Sequence, residues 1–154
     1  MNPTEEAARR RSNDRHREHV ARHEAAHLVA AKALGAKKIE AAVQSDMGWY
    51  GITTSGPLAG SAREQVALKL AGVVATRASW GATLKPREVS DVLELEGAGD
   101  LARKVEADPS LGRAGLELAE RIVWGNLGRI ESVTEALVAR SQTSASGTGA
   151  VYIK

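Results

Sequence analysis

Three residues near the end of the first helical segment have the types and the spacing of a metal site. His23-Glu24-Ala25-Ala26-His27 fits the pattern H-E-x-x-H. Residues four apart lie on one face of a helix, so both imidazoles can reach one metal ion. Glu24 is rotated by about 100° from His23, which places its carboxylate beside the metal, where it can take a proton from a water that the metal activates. The motif predicts a zinc site with Glu24 as general base.

Two further histidines lie on the same helical segment. His19 stands four residues before His23, and His16 three residues before His19. A pair formed by His19 and His23 could bind a metal, but it has Val20 where the base should be. We therefore expect His16 and His19 to be exposed or to lie behind the metal ligands.

Two histidines do not complete a catalytic zinc site, which normally has three protein ligands and a water. The chain has no cysteine, and all 4 of its histidines lie between residues 16 and 27. The third ligand is therefore expected to be Asp or Glu. Spacing alone does not choose among the carboxylates that follow the predicted hairpin: Glu88, Asp91, Glu94, Glu96, Asp100 and Glu117.

The elements that position these residues are mostly helical. Asn2 can cap a helix that starts at Pro3 and runs to Leu34, with Gly35 as a natural stop. Residues 38–44 alternate apolar and polar side chains, and "WYGITT" follows a turn signal, so the two segments predict a β-hairpin.

A second group of helices follows the hairpin. Ser61-Ala62-Arg63-Glu64 matches a capping box, and a last long helix is predicted over about 112–140. The fold class is α+β, mostly helical, with one small hairpin. Residues 1–140 are expected to form one domain, with residues 1–14 as a helical extension and residues 141–154 as a flexible tail.

Composition narrows the class of protein. With 43% hydrophobic and 26% charged residues in 154 residues, the chain is an ordinary globular domain. A net charge of +2 does not favour a nucleic-acid partner, although arginines cluster early in the chain. No apolar run approaches a membrane span, and the polar N-terminus is not a secretory signal, so a cytoplasmic location is expected.

Four segments of the chain resemble one family in order and approximate spacing. "RHEAAHLVAAKALG", "MGWYGITTSG", "VALKLAGVVATRASWG" and "GAGDLARKVE" are similar to the peptidase domain of the FtsH family of ATP-dependent zinc proteases. The resemblance covers roughly residues 15–140, and its H-E-x-x-H segment is the specific part. It implies a zincin-like helix bundle that binds Zn²⁺.

The resemblance also assigns residues. It implies that His23 and His27 share the metal with Asp100, although Ser90-Asp91 echoes the same motif and keeps Asp91 as a rival third ligand. It further implies that the strand "WYGITT" is the edge beside the active site. The substrate-binding residues would then be the four that begin this strand: Trp49, Tyr50, Gly51 and Ile52.

The predicted function is zinc-dependent hydrolysis of peptide bonds in unfolded or flexible protein segments. The sequence has no G-x-x-x-x-G-K-[ST] phosphate-binding loop, so we expect a freestanding peptidase domain that does not use ATP. The alternative is a non-catalytic binding or regulatory module that keeps the fold and a metal. An intact Glu24 argues against that alternative, because a purely structural metal site does not need a base.

Overall fold

The computed structural model describes residues 2–36, 39–44, 50–55, 60–143 and 149–153. This part of the chain forms six helices: α1 (Pro3–Ala33), α2 (Ala62–Ala78), α3 (Val89–Leu95), α4 (Gly99–Ala107), α5 (Pro109–Gly125) and α6 (Leu127–Thr143). It also forms three strands: β1 (Ile39–Gln44), β2 (Tyr50–Ser55) and β3 (Gly149–Ile153). The predicted mostly helical α+β fold is confirmed. None of the described helices has both the length and the apolar character needed to cross a membrane.

Helix α1 begins as the sequence predicts. The Asn2 side chain accepts a hydrogen bond from the backbone N–H of Glu5 at 2.8 Å, and the Glu5 carboxylate accepts one from the N–H of Asn2 at 3.3 Å. This reciprocal cap satisfies two N–H groups that have no partner inside the helix. The helix then continues to Ala33, with its first half mostly exposed and its second half in the core. The H-E-x-x-H motif lies in the buried half.

The core surrounds the second half of α1. Helices α2 and α6 pack against α1, as do both strands of the β1–β2 hairpin. Because the chain has no phenylalanine, the largest fully buried side chains are aliphatic, among them Leu28, Leu70, Leu93 and Leu137. The second predicted cap is also present, since Ser61 and Glu64 form a capping box at the start of α2. This packing holds α2 and the hairpin against the motif.

The predicted hairpin is confirmed, and a third strand joins it. Strands β1 and β2 are antiparallel, with Val43 opposite Gly51. Strand β3 pairs with the other edge of β1, so the sheet order among the described residues is β2-β1-β3, with β2 at one edge. The sequence analysis placed residues 141–154 in a tail, whereas 141–143 belong to α6 and 149–153 form β3. The segment Gly-Ala-Val-Tyr-Ile ends in the β-branched and aromatic types that favour strands.

The long helix predicted over about 112–140 is divided into α5 and α6 at Asn126. Gly125 and Gly128 flank the break, and glycine is the weakest helix former after proline. The Asn126 side chain donates a hydrogen bond to the carbonyl of Ile122 at 2.7 Å, which helps to end α5. The break therefore lies where the sequence favours a helix least.

Candidate metal centre

His23 and His27 face a common point from one face of α1. Their Nε2 atoms are 3.1 Å apart, and their rings meet edge to face with centroids 4.7 Å apart. Both side chains are largely buried, with 21% and 11% of their surfaces exposed. The sequence prediction that one helical turn brings the two imidazoles together is confirmed.

A backbone carbonyl sets the orientation of His27. The Nδ1 atom of His27 lies 2.9 Å from the carbonyl oxygen of Leu68 on α2. A carbonyl only accepts hydrogen bonds, so Nδ1 carries the proton of the neutral ring and Nε2 keeps its lone pair. Partners of this kind orient metal-binding histidines and make them more basic. The contact with α2 thus leaves the Nε2 lone pair of His27 facing His23.

The carboxylate that meets the two imidazoles belongs to Glu96, at the end of α3. Its Oε1 atom lies 2.8 Å from Nε2 of His23, and its Oε2 atom lies 3.7 Å from Nε2 of His27. One ligand atom from each of the three side chains lies within 4.8 Å of the others. Glu96, His23 and His27 could therefore hold a metal ion together.

The structure does not bring Asp100, the third ligand implied by the family resemblance, to this group. Asp100 lies in the first turn of α4 with 93% of its side chain exposed, and its carboxylate pairs with Arg103 one turn further on. That position suits a carboxylate for a local reason, since the positive end of the helix dipole favours it. The rival Asp91 is exposed on α3. The sequence names Glu96 as one of six candidate carboxylates, but the spacing of residues along the chain does not distinguish it from the other five.

The other candidate carboxylates lie elsewhere. Glu88 pairs with Arg77 at 2.8 Å, and Glu94 and Glu117 are exposed. The two earlier histidines are also outside the group: His16 is exposed, and His19 stacks on Trp80 with ring centroids 5.2 Å apart. Among the described residues, only Glu96 joins the two histidines of the motif.

Glu24 is held beside the group by the hairpin. The residue is buried, and the Thr53 hydroxyl of β2 lies within hydrogen-bonding distance of both its carboxylate and its backbone carbonyl. A β-carbon on Gly51 would lie only 2.2 Å from Cγ of Glu24. Gly51 is one of the four predicted substrate-binding residues, and in the structure its missing side chain also makes room for Glu24. Thr53 and Gly51 together fix the position of the carboxylate.

One cavity of about 270 Å³ joins these groups. Its polar lining residues come from α1, β2, α2 and the end of α3: Glu24, His27, Thr53, Lys69 and Glu96. Gly51 also lines it, so the edge strand β2 runs along the cavity. Of the other predicted substrate-binding residues, Trp49 lies outside the described residues, and Tyr50 and Ile52 are described only as backbone of β2.

Burial and mutual contact set the charges of the group. Burial disfavours the carboxylate of Glu96, but its hydrogen bond with His23 and the nearby imidazole of His27 outweigh that effect and hold its pKa at about 2. Burial likewise opposes the charged form of His23, while the hydrogen bond and charge of Glu96 raise its pKa above the usual 6.5. Glu96 is therefore ionised at neutral pH, as a metal ligand must be, and a bound metal would compete with a proton on His23.

Gly72 of α2 lets the second helix approach the two imidazoles. A β-carbon there would lie 2.7 Å from Nε2 of both His23 and His27. We expect Gly72→Ala to displace the imidazoles and to weaken metal binding by about 10- to 100-fold, the loss typical of damage to the surroundings of metal ligands. Titration of the purified variant with zinc measures the effect.

Gly125→Ala is the matched control, because a β-carbon at Gly125 meets nothing within 4 Å. Alanine stabilises a helix by about 1 kcal/mol relative to glycine. A loss of helix stability therefore cannot explain metal loss in Gly72→Ala. Equal metal affinity in the two variants would show that the imidazoles adapt and that Gly72 has no role in the site.

Comparison of the chain with models of protein families, with curated proteins and with solved structures finds no match.

Proposed function

We propose that the protein is a metal-dependent peptidase whose ion is zinc. The observation that carries the proposal is the position of the Glu24 carboxylate, held by Thr53 in the cavity that His27 and Glu96 also line. A site built only to hold a metal does not need a buried carboxylate beside the ligands. The arrangement supports a hydrolase that activates water, in which a base would stand next to the ion.

The donor set suits zinc. Two imidazole nitrogens and one carboxylate oxygen are a common set of three protein ligands in catalytic zinc sites, which keep a fourth position open. Two nitrogens bound tetrahedrally at roughly 2.0–2.1 Å from zinc lie about 3.3 Å apart, and the Nε2 atoms of His23 and His27 are 3.1 Å apart. The imidazoles are therefore already spaced for the ion.

Glu24 supplies the acid–base chemistry in this proposal. Zinc at the site would act as a Lewis acid toward the carbonyl of the bond to be cut. The Glu24 carboxylate accepts a proton from the attacking water and later returns it to the nitrogen of the leaving amine. The Thr53 hydroxyl keeps the carboxylate in one orientation during both transfers.

The edge strand supports a peptide substrate. Strand β2 is at the edge of the sheet formed by the described residues, and two of its residues line the cavity. An edge strand presents N–H and C=O groups with which an extended peptide can pair as an additional strand. This mode depends little on side chains and demands an extended chain, so unfolded or flexible segments are the proposed substrates.

The resemblance to the FtsH peptidase domain agrees with the proposed peptidase function in the H-E-x-x-H segment and the edge strand. The resemblance implies Asp100 as the third ligand, whereas we propose Glu96. We propose that cleavage by this domain needs no ATP, because attack by a metal-activated water consumes no nucleotide.

Metal content and hydrolysis measured on one sample test the proposal. Protein purified without chelator is expected to hold about one zinc per chain by elemental analysis and to cut unfolded casein at the same rate with and without ATP. A stably folded domain of similar size should remain intact. Absence of zinc even after addition would overturn the proposal. Bound zinc without hydrolysis would favour the non-catalytic module instead.

A further inference from the structure

Lys69 is a cation in the candidate active site that the proposed chemistry does not use. It lies on α2 and is half-buried in the lining of the same cavity as Glu24 and Glu96. Residues three and four apart share one face of a helix. Lys69 therefore shares a face with Gly72, at which a β-carbon would meet both imidazoles.

Lys69 has no ion-pair partner within the described part of the chain. The two cavity carboxylates are engaged elsewhere, Glu24 with Thr53 and Glu96 with His23. Two other half-buried cations of the protein behave differently: Arg22 pairs with both Glu18 and Glu131, and Arg77 with Glu88. The Lys69 ammonium therefore lines the cavity with its donors available to an anionic group supplied from outside the chain.

We propose that Lys69 is a specificity residue that binds a carboxylate of the substrate close to the bond that is cut. The inference rests on the proposed peptidase function and names its substrate class: extended chains with an acidic group beside the cleaved bond. The ammonium group of lysine donates up to three hydrogen bonds, and such bonds to a carboxylate are stronger than those between neutral groups. With zinc present, the charges of the ion and of Lys69 exceed those of the two carboxylates, Glu24 and Glu96, so the cavity is positively charged.

A carboxylate can come from an acidic side chain or from the C-terminus of the substrate, and matched peptides separate the two sources. The first set consists of short, otherwise neutral peptides with blocked ends, in which one Glu is moved along the chain and compared with Gln at the same position. The second pair consists of one neutral peptide with a free or an amidated C-terminus. For each pair, the ratio of kcat/KM for the charged over the neutral peptide is measured.

The expected ratio for the wild-type protein is about tenfold in favour of the charged peptide, at one Glu position or at the free C-terminus. Lys69→Met, which keeps the length of the side chain and removes its charge, should bring that ratio to about one, and Lys69→Glu should invert it. Lys104→Met is the control, since Lys104 is exposed on α4, and it should keep the wild-type ratio.

Two outcomes would overturn the inference. One is a wild-type protein with no preference for the charged peptide. The other is a Lys69→Met variant in which kcat/KM falls equally for both peptides, because that result would assign Lys69 to transition-state stabilisation.

A binding measurement tests the role of Lys69 independently of whether the protein hydrolyses peptides. In zinc-loaded Glu24→Gln, calorimetric titration with the same peptides reports preference without hydrolysis. A preference for the charged peptide that disappears in Glu24→Gln/Lys69→Met supports the role of Lys69 even if the wild-type protein cuts no peptide. Equal binding of the two peptides in Glu24→Gln contradicts it even if the wild-type protein hydrolyses casein.

Discussion

Replacing Glu24 with glutamine is expected to abolish hydrolysis and to leave the metal bound. The amide is close in size to the carboxylate and still offers an oxygen to the Thr53 hydroxyl, which holds Glu24 from β2. It cannot accept a proton from water, so the rate should fall by about 10²- to 10⁴-fold, the usual contribution of a general base. Hydrolysis of unfolded casein and zinc content measured on the same sample give both quantities.

Glu106→Gln provides the control for that experiment, because Glu106 is exposed on α4. It should retain full activity and full metal content. Loss of zinc from Glu24→Gln would make Glu24 a ligand or a structural residue. Undiminished hydrolysis in Glu24→Gln would move the base to another group and remove the main support for the proposed mechanism.

The second large expected effect is the loss of zinc affinity when one of the three proposed ligands is replaced. Changing His23 or His27 to alanine should reduce bound zinc to background, and Glu96→Gln should lower zinc affinity by more than about 100-fold, since loss of a mere supporting partner already costs 10- to 100-fold. Asp100→Asn should change nothing, because that carboxylate is exposed and pairs with Arg103. Competition against a chelator of known affinity measures each variant.

Circular dichroism and thermal unfolding of the zinc-free variants check that the fold survives. That check matters for Glu96→Gln, because the same carboxylate accepts a hydrogen bond from His23. If Asp100→Asn lost zinc while Glu96→Gln kept it, the third ligand would be Asp100, as the family resemblance implies.

Both predictions depend on one arrangement, in which three separate elements reach the second half of α1. Helix α2 brings Leu68 and Gly72 to the imidazoles, and the end of α3 brings Glu96. Strand β2 brings Thr53 to Glu24. The motif therefore supplies the two imidazoles and the Glu24 carboxylate of the candidate site, and the rest of the fold supplies their orientation.

The sequence by itself determined those features that depend on residues close together in the chain. The Asn2 and Ser61 caps, the hairpin, and the shared face of His23 and His27 all follow from interactions over three or four residues or from strand alternation. Such interactions act before the chain folds and do not require knowledge of its neighbours. The direction in which Glu24 leaves the helix, about 100° from His23, belongs to the same group.

Only the tertiary structure decided which distant residues complete the site. Glu96 and Asp100 are four residues apart and equally acidic, but α3 ends at the imidazoles whereas α4 turns Asp100 toward solvent. The carboxylate that reaches a site through space depends on how helices pack, which spacing along the chain does not encode. The same reason applies to Gly72 and Lys69, whose roles depend on which face of α2 meets α1.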